Sequence, residues 1–422
     1  MKSLAEFDPF DPEVIENPYA FFAALRREAP LYELPNKAYY LISRHEDVKR
    51  AVMDIETFSS NLVAILMADQ SHVSPQLLNV AGMTAGGPDA PADALAVADP
   101  PAHTRQRRVS NRAFSMRNVA SMEEDIRNLV NQLLDPLLAR GSCEWVKDFA
   151  IPLPMTMIVR LLGLPMEDLP KLKKWSDLAI GVLSGLRSAE EVVADGLEMT
   201  KMVEYIAMQL DLAKQNPSEG VISDLVRASE SDSESLSNGE LISIVAQLIT
   251  AGNETTTSLI GSAVMRMLQT RGMQEVLREH PERIPAFIEE TLRLETPIKG
   301  HFRLVKKDTE VVGRPLPSGS RVMLLWASAN RDDGEYPAAD QFDLDRFSKT
   351  NLHFSFGYGI HHCLGAALGR AETRIALEAL LARTKHIEFG PENDFRHVPS
   401  LLVRSLRKLE LHTERGHVTP RR

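Results

Sequence analysis

The stretch FGYGIHHCLG, residues 356 to 365, sets two adjacent histidines before Cys363, one of only two cysteines in the chain. Three chemistries are open to such a group: a zinc site, a nucleophilic thiol, or one soft ligand to something larger. Zinc takes three or four ligands in a tetrahedron, and consecutive His361, His362 and Cys363 cannot easily reach one ion together. A nucleophile needs a base and an oxyanion hole, and nothing else in the sequence suggests either. A lone cysteine is also commonly a buried packing residue. Gly357, Gly359 and Gly365 decide for the larger group, because backbone without side chains can approach a flat ligand closely around a single sulfur.

A second candidate lies at Ala251-Gly252-Asn253-Glu254-Thr255-Thr256, inside the long apolar run SLSNGELISIVAQLITAGNETTTSLIGSAVMRMLQT. Ser237 and Glu240 have capping-box spacing, and the run after them predicts a helix buried nearly all round. A glycine and a carboxylate in its middle are not what helix propensity favours. Two readings stay open here. One is a kinked core helix whose threonines satisfy local carbonyls; the other is a turn distorted for a ligand, with acid and hydroxyl placed to pass protons. Glu290 and Arg293 form a third pair, three residues apart and so on one helix face. Alone, such a pair is usually a solvated ion pair worth about 0.3–0.5 kcal/mol.

These residues need elements to position them, and the chain reads as mainly α with small β-sheets. NPYAFFAALRREAP and HEDVKRAVM have helical periodicity, with AYYLIS a short strand between them. Val80 to Pro101 has no periodicity, and a long irregular segment in a compact protein is usually a lid or binding loop. PPAHTRQRRVSNRAF then starts a helix as proline favours. LPKLKKWSDLAIGVLSGL and SAEEVVADGLEMTKMVEYIAMQLDLAKQNP are helical, the second ending at Asn216-Pro217. After the Glu290 helix come short strands and turns, through ETPIKGHFRLV and DTEVVGRPLPSGSRVMLLW. LGAALGRAETRIALEALLART is again a helix, so Cys363 lies at a loop-to-helix junction. Free N–H groups and the helix dipole there favour a thiolate.

Composition bounds the rest. With 422 residues, 44% of them hydrophobic and 25% charged, the chain can bury a large core. Two cysteines make no disulfide framework and fit a reducing compartment, so a cytoplasmic location is expected. The N-terminus has no apolar run of signal or membrane-span length. A net charge of -10 argues against nucleic acid as a general partner.

Taken in order, DPPAHTRQRR, AGNETT, the E-x-x-R pair and FGYGIHHCLG resemble a cytochrome P-450, a heme-thiolate monooxygenase of the soluble bacterial type. The resemblance spans nearly the whole chain and implies one catalytic domain over residues 1–422. It implies heme b, iron protoporphyrin IX, held between the long central helix and the cysteine loop, with Cys363 the axial thiolate. That thiolate favours O–O cleavage over reversible binding. Phe356 would cover the sulfur, with Gly357 and Gly365 shaping the loop. His103, Arg107, Arg303 and His361 match contacts to the heme propionates. Ala251 and Gly252 would leave room for dioxygen, and Glu254 with Thr255 would organise protons. Glu290, Arg293 and Arg346 match a structural ion network. His362 matches no family position.

The implied reaction is R–H + O2 + two electrons + two protons giving R–OH + water. The chain ends shortly after the cysteine helix, so electrons are expected from a separate donor, commonly ferredoxin with ferredoxin reductase. Arg105, Arg108 and Arg112 are either a docking face for an acidic ferredoxin or a solvated surface. A peroxide-driven peroxygenase and a non-catalytic heme sensor are the alternatives, and the Glu254-Thr255 pair speaks against both. The substrate is expected to be a small hydrophobic compound. If residues 298 to 303 are extended, Lys299 and His301 share a face with Arg303 and, with Ile298, border the pocket. A lysine there would recognise an anionic or carbonyl group.

Overall fold

The computed structural model describes residues 2–35, 39–61, 92–229, 235–348 and 353–416. The elements that carry the site are nine helices: α1 Tyr19–Glu28, α2 His45–Met53, α3 Ala102–Asn111, α4 Pro152–Leu162, α5 Leu169–Leu183, α6 Ala189–Gln215, α7 Asn238–Gln269, α8 Ile284–Leu294 and α9 Ala366–Arg383. The strands are β1 Leu31–Glu33, β2 Tyr39–Ile42, β3 Phe58–Ser59, β4 Ser142–Glu144, β5 His301–Val305, β6 Arg321–Leu324, β7 Thr384–Phe389 and β8 Glu410–Arg415. The fold is mainly α with small sheets, as the periodicity predicts.

Helix α7 runs for 32 residues through the middle of the molecule, packed by α4, α5, α6, α8 and α9. Its start is fixed as its sequence dictates. The Ser237 hydroxyl accepts from the Glu240 N–H at 3.2 Å, and the Glu240 carboxylate accepts from the Ser237 N–H at 2.9 Å. Leu241, Ile244, Val245 and Ile249 before the AGNETT segment, and Leu259, Ile260, Ala263 and Val264 after it, are buried. Ala251 is the exception and is exposed in the middle of this core helix.

Residues 251 to 256 are α-helical throughout, so the opened turn, one of the two readings of AGNETT, is absent. The Thr255 hydroxyl donates to the Ala251 carbonyl one turn back at 2.9 Å, a bond that satisfies the side chain without breaking the helix. A Cβ on Gly252 would lie 3.3 Å from the side chain of Ile158 on α4, so this glycine lets α7 pack closely on α4.

The larger sheet has the order β1-β2-β6-β5-β3, with β2 and β6 parallel and the other pairs antiparallel. Its register sets His301 opposite Leu324 and Arg303 opposite Val322. Gly300, at the entry to β5, must be glycine, because a Cβ would collide with the Leu324 carbonyl oxygen. Strands β4, β8 and β7 form the second sheet, with β8 central, and α9 passes directly into β7. Of the predicted irregular segment, residues 80–91 lie outside the described residues. Residues 92–101 are tied to α7: the Ala92 N–H donates to Ser243 Oγ at 3.0 Å, and Gln247 Nε2 to the Ala94 carbonyl at 2.7 Å. No helix among the described residues is long and apolar enough to cross a membrane.

Candidate active site

Cys363 sits three residues ahead of α9, with its N–H donating to the Phe356 carbonyl at 2.7 Å. Gly357 and Gly359 have φ of +68° and +67°, so the loop turns on left-handed positions that favour glycine. The thiol is exposed, yet the surrounding protein mass pushes its pKa up; the Gly365 N–H and the charges of Arg107 and Arg370 act in the opposite direction. From the exposure of Cys363, and of Ala251 in the otherwise buried helix α7, we infer a hollow between the cysteine loop and α7. Helix α9 brings the loop to α7. A Cβ on Gly369, six residues beyond Cys363, would lie 3.4 Å from Thr256 Oγ1, beside the exposed Ala251 and half-buried Thr255.

One rim of the hollow is cationic. The rings of His103 on α3 and His361 lie 4.3 Å apart between centroids. Arg303 is buried, bonded through Nη1 to His301 Nδ1 at 2.8 Å, and its carboxylate influence comes from Asp99 alone. Asp99 is held by the Ser60 N–H at 2.9 Å and by the Ser59 hydroxyl. Ser60 Oγ in turn bonds His361 Nε2 at 3.0 Å. Burial pushes Arg303 down to about 10 and His301 to about 4. Burial, followed by Arg303, His103, His301 and Arg107, pushes His361 down to about 2. Buried His103 Nε2 and His361 Nδ1 have no hydrogen-bond partner in the structure. A rim of basic groups with unspent donors calls for carboxylates from elsewhere. Two carboxylates on a flat group bearing one thiolate-seeking metal satisfy rim, sulfur and glycine loop together. Arg107 differs from its expected role in part, since its Nη2 donates to the His362 carbonyl at 2.6 Å.

Behind the sulfur loop, Glu290 and Arg293 are fully buried and bonded twice, Nε to Oε2 at 2.8 Å and Nη2 to Oε1 at 2.7 Å. Arg346 Nε adds a third bond to Glu290 Oε1 at 3.1 Å. Arg293 also donates to the carbonyls of Asn330 and Ala339. The pair is therefore no surface ion pair, since every charge has a partner in the core.

The remaining expected residues have the following partners. Lys299 does not offer a free ammonium to a substrate. Its buried Nζ donates to the Ser400 carbonyl at 2.5 Å and the Ile15 carbonyl at 3.3 Å, partners 101 and 284 residues away in sequence. Ile298 packs between two apolar clusters and is bridged to Val403, while His301 is taken up by Arg303 and a stack on Trp326 with centroids 5.8 Å apart. Of the arginines considered for docking, Arg105 is bound to Glu240 at 2.6 Å. Glu254 is half-buried, and Thr255 directs its hydroxyl to Ala251 rather than toward it. The sequence reading missed Asp99 and Ser60, and it missed a second carboxylate node, Glu289. That node is bonded to Arg370 at 2.7 and 2.8 Å and to His353 at 3.2 Å. Its only sequence signal is that it precedes Glu290.

A mostly helical molecule with a cysteine-bearing glycine loop ahead of a helix packed on a long central one fits the heme-thiolate monooxygenases. The cytochrome P-450 family model matches residues 184–407. Cytochrome P-450 144 of Mycobacterium tuberculosis is 35% identical over 408 residues, covering 95% of this chain and 90% of that protein. A vitamin D(3) 25-hydroxylase of Pseudonocardia autotrophica is 31% identical, covering 96% of each. The solved structure of CYP109Q5 from Chondromyces apiculatus superimposes with a TM-score of 0.83 at 32% identity, covering 97% of this chain and 98% of that one. The chain belongs to the cytochrome P-450 family, and with it to the monooxygenases that bind heme b through a cysteine thiolate.

Proposed function

We propose that this protein hydroxylates a hydrophobic substrate with dioxygen, using two electrons from a ferredoxin and its reductase, with Cys363 as the thiolate ligand of heme b. The carrying observation is Cys363 itself, accessible but desolvated, on a loop that α9 holds against the Ala251–Thr256 segment of α7. Bound heme supplies dioxygen activation and oxygen transfer. His103, His361 and Arg303 would hold its carboxylates, the two histidines through buried ring nitrogens that otherwise lack a partner. The Phe356 carbonyl accepts the Cys363 N–H, and its ring would cover the sulfur. The exposed Ala251 presents only a methyl group and would leave room beside the cofactor for substrate. Thr255 holds a hydroxyl proton at Oγ1 against the Ala251 carbonyl, from which rotation brings it into the hollow. Glu254, half-buried beside it in the same turn of α7, is the carboxyl group that would organise protons with Thr255.

The substrate is neutral, because the amino group of Lys299 is spent on two backbone carbonyls and the basic groups of the rim are assigned to the cofactor. The relative named as a vitamin D(3) hydroxylase supports a substrate of extended hydrocarbon character. The Glu254-Thr255 pair favours this reading over a peroxygenase, which needs no proton delivery to dioxygen. The test supplies NADH, ferredoxin and ferredoxin reductase to the heme-loaded protein with a panel of terpenoids, steroids and alkylaromatics. Product carrying one atom of labelled dioxygen supports the reading. Turnover at equal rate from hydrogen peroxide alone would replace it with the peroxygenase.

A further inference from the structure

Helix α8 carries two adjacent carboxylates that serve different ends. Glu290 closes the buried network with Arg293 and Arg346, whereas Glu289 faces α9 and grips Arg370 in a two-point ion pair, Nε to Oε1 at 2.7 Å and Nη2 to Oε2 at 2.8 Å. Held that way, the Arg370 guanidinium lies over the Phe356 ring, 4.2 Å from its centroid. His353 Nε2 meets the second Glu289 oxygen at 3.2 Å, and its Nδ1 accepts the Ser355 N–H at 3.2 Å. Only a neutral imidazole with its proton on Nε2 makes both bonds. The His353 ring also flanks Phe356, with centroids 6.0 Å apart. Phe356 thus packs against both Arg370 and His353, and its carbonyl receives the Cys363 N–H at 2.7 Å.

We infer that Arg370 and Glu289 are a positioning pair that sets the electron-donating strength of the Cys363 sulfur, Arg370 as a fixed cation behind it and Glu289 as the partial counterweight. This rests on the reading that Cys363 ligates the heme. The geometry gives the pair two routes to the sulfur. Through Phe356 it fixes the acceptor of the Cys363 N–H, and through space a held cation seven residues beyond Cys363 favours negative charge on the sulfur. The bidentate grip keeps the guanidinium in one place, so its field is constant rather than averaged over rotamers. Adding an electron to the cofactor makes the site more negative, and a nearby cation eases that step while a nearby carboxylate opposes it.

The two partners must therefore act with opposite sign, which a merely structural ion pair does not do. The equilibrium reduction potential of the heme-loaded protein, measured without a redox partner, is the readout. Arg370→Gln is expected to lower the potential, Glu289→Gln to raise it, and Arg370→Lys to stay close to wild type. The reduced CO spectrum of every variant checks that the thiolate is still bound. Shifts of the same sign in Arg370→Gln and Glu289→Gln, or no shift in either with the thiolate spectrum intact, would overturn the inference. Should Arg370→Gln fail to hold heme, the sign of the Glu289→Gln shift decides alone. A wild-type protein lacking the thiolate spectrum would instead overturn the assignment of Cys363.

Discussion

His103 and His361, 258 residues apart in sequence, stack with ring centroids 4.3 Å apart, and each keeps a buried ring nitrogen without a partner. Burial and then the charge of Arg107 disfavour the proton on His103, and burial, Arg303 and His103 disfavour it on His361. Propionates reverse that balance by supplying acceptors. His103→Phe and His361→Phe keep a ring in place and remove the donor. A charge-assisted bond is worth about 1.5–3 kcal/mol, so each variant should lose heme to a scavenging globin roughly ten- to a hundredfold faster. Unchanged transfer rates would remove these residues from the cofactor contacts.

Thr255→Ala should keep heme and substrate binding but divert electrons from product to hydrogen peroxide, because the hydroxyl now bonded to Ala251 is the one polar proton carrier we assign to the hollow wall. Product per NADH should fall severalfold, and Thr255→Ser should restore most of it. Full coupling in Thr255→Ala would transfer the role to Glu254 or Thr256.

Glu290→Gln leaves Arg293 buried beside a neutral partner and weakens the bond from Arg346 as well. Breaking a buried pair by neutralising one member costs on the order of 3–5 kcal/mol. The variant is expected to yield little heme-loaded protein at 37 °C and a lowered Tm at reduced temperature. A wild-type Tm would show that the network is dispensable for folding.

Lys299 gives a pH signature. Burial, and then the charge of Arg404, push its pKa down to about 7 from the ordinary lysine value, and a neutral amine has two N–H donors for the carbonyls of Ser400 and Ile15. Between about pH 7 and the ordinary value the unfolded chain holds a proton that the native chain has released. Native stability should therefore rise with pH across that window, relative to a Lys299→Met variant that has nothing to titrate. Denaturant midpoints at pH 7.5 and 9.5 test this. A constant difference between the two proteins would mean that the buried group stays an ammonium.

Local pattern made the helices legible. HEDVKRAVM coincides with α2, and the Ser237–Glu240 box starts α7 where its spacing predicts. The motif residues also come together, Cys363 with Phe356 and Glu290 with Arg293. What the sequence hid were partners at long range. Alternation along residues 298 to 303 sends Lys299 toward the pocket on paper, but carbonyls at 15 and 400 claim it, and no local rule names them. The close approach of Gly252 to Ile158 likewise joins residues 94 positions apart. Glu289 was passed over for the same reason: its meaning depends on Arg370, which only the packing of α8 on α9 brings near.

The most direct test of the central claim is the absorption spectrum of the reduced, CO-treated protein, wild type beside Cys363→Ser and Cys363→His. Thiolate ligation by Cys363 predicts a strongly red-shifted Soret band in wild type that both substitutions abolish. A wild-type band at the position of a histidine-ligated heme, or a red-shifted band that survives in Cys363→Ser, would contradict the account.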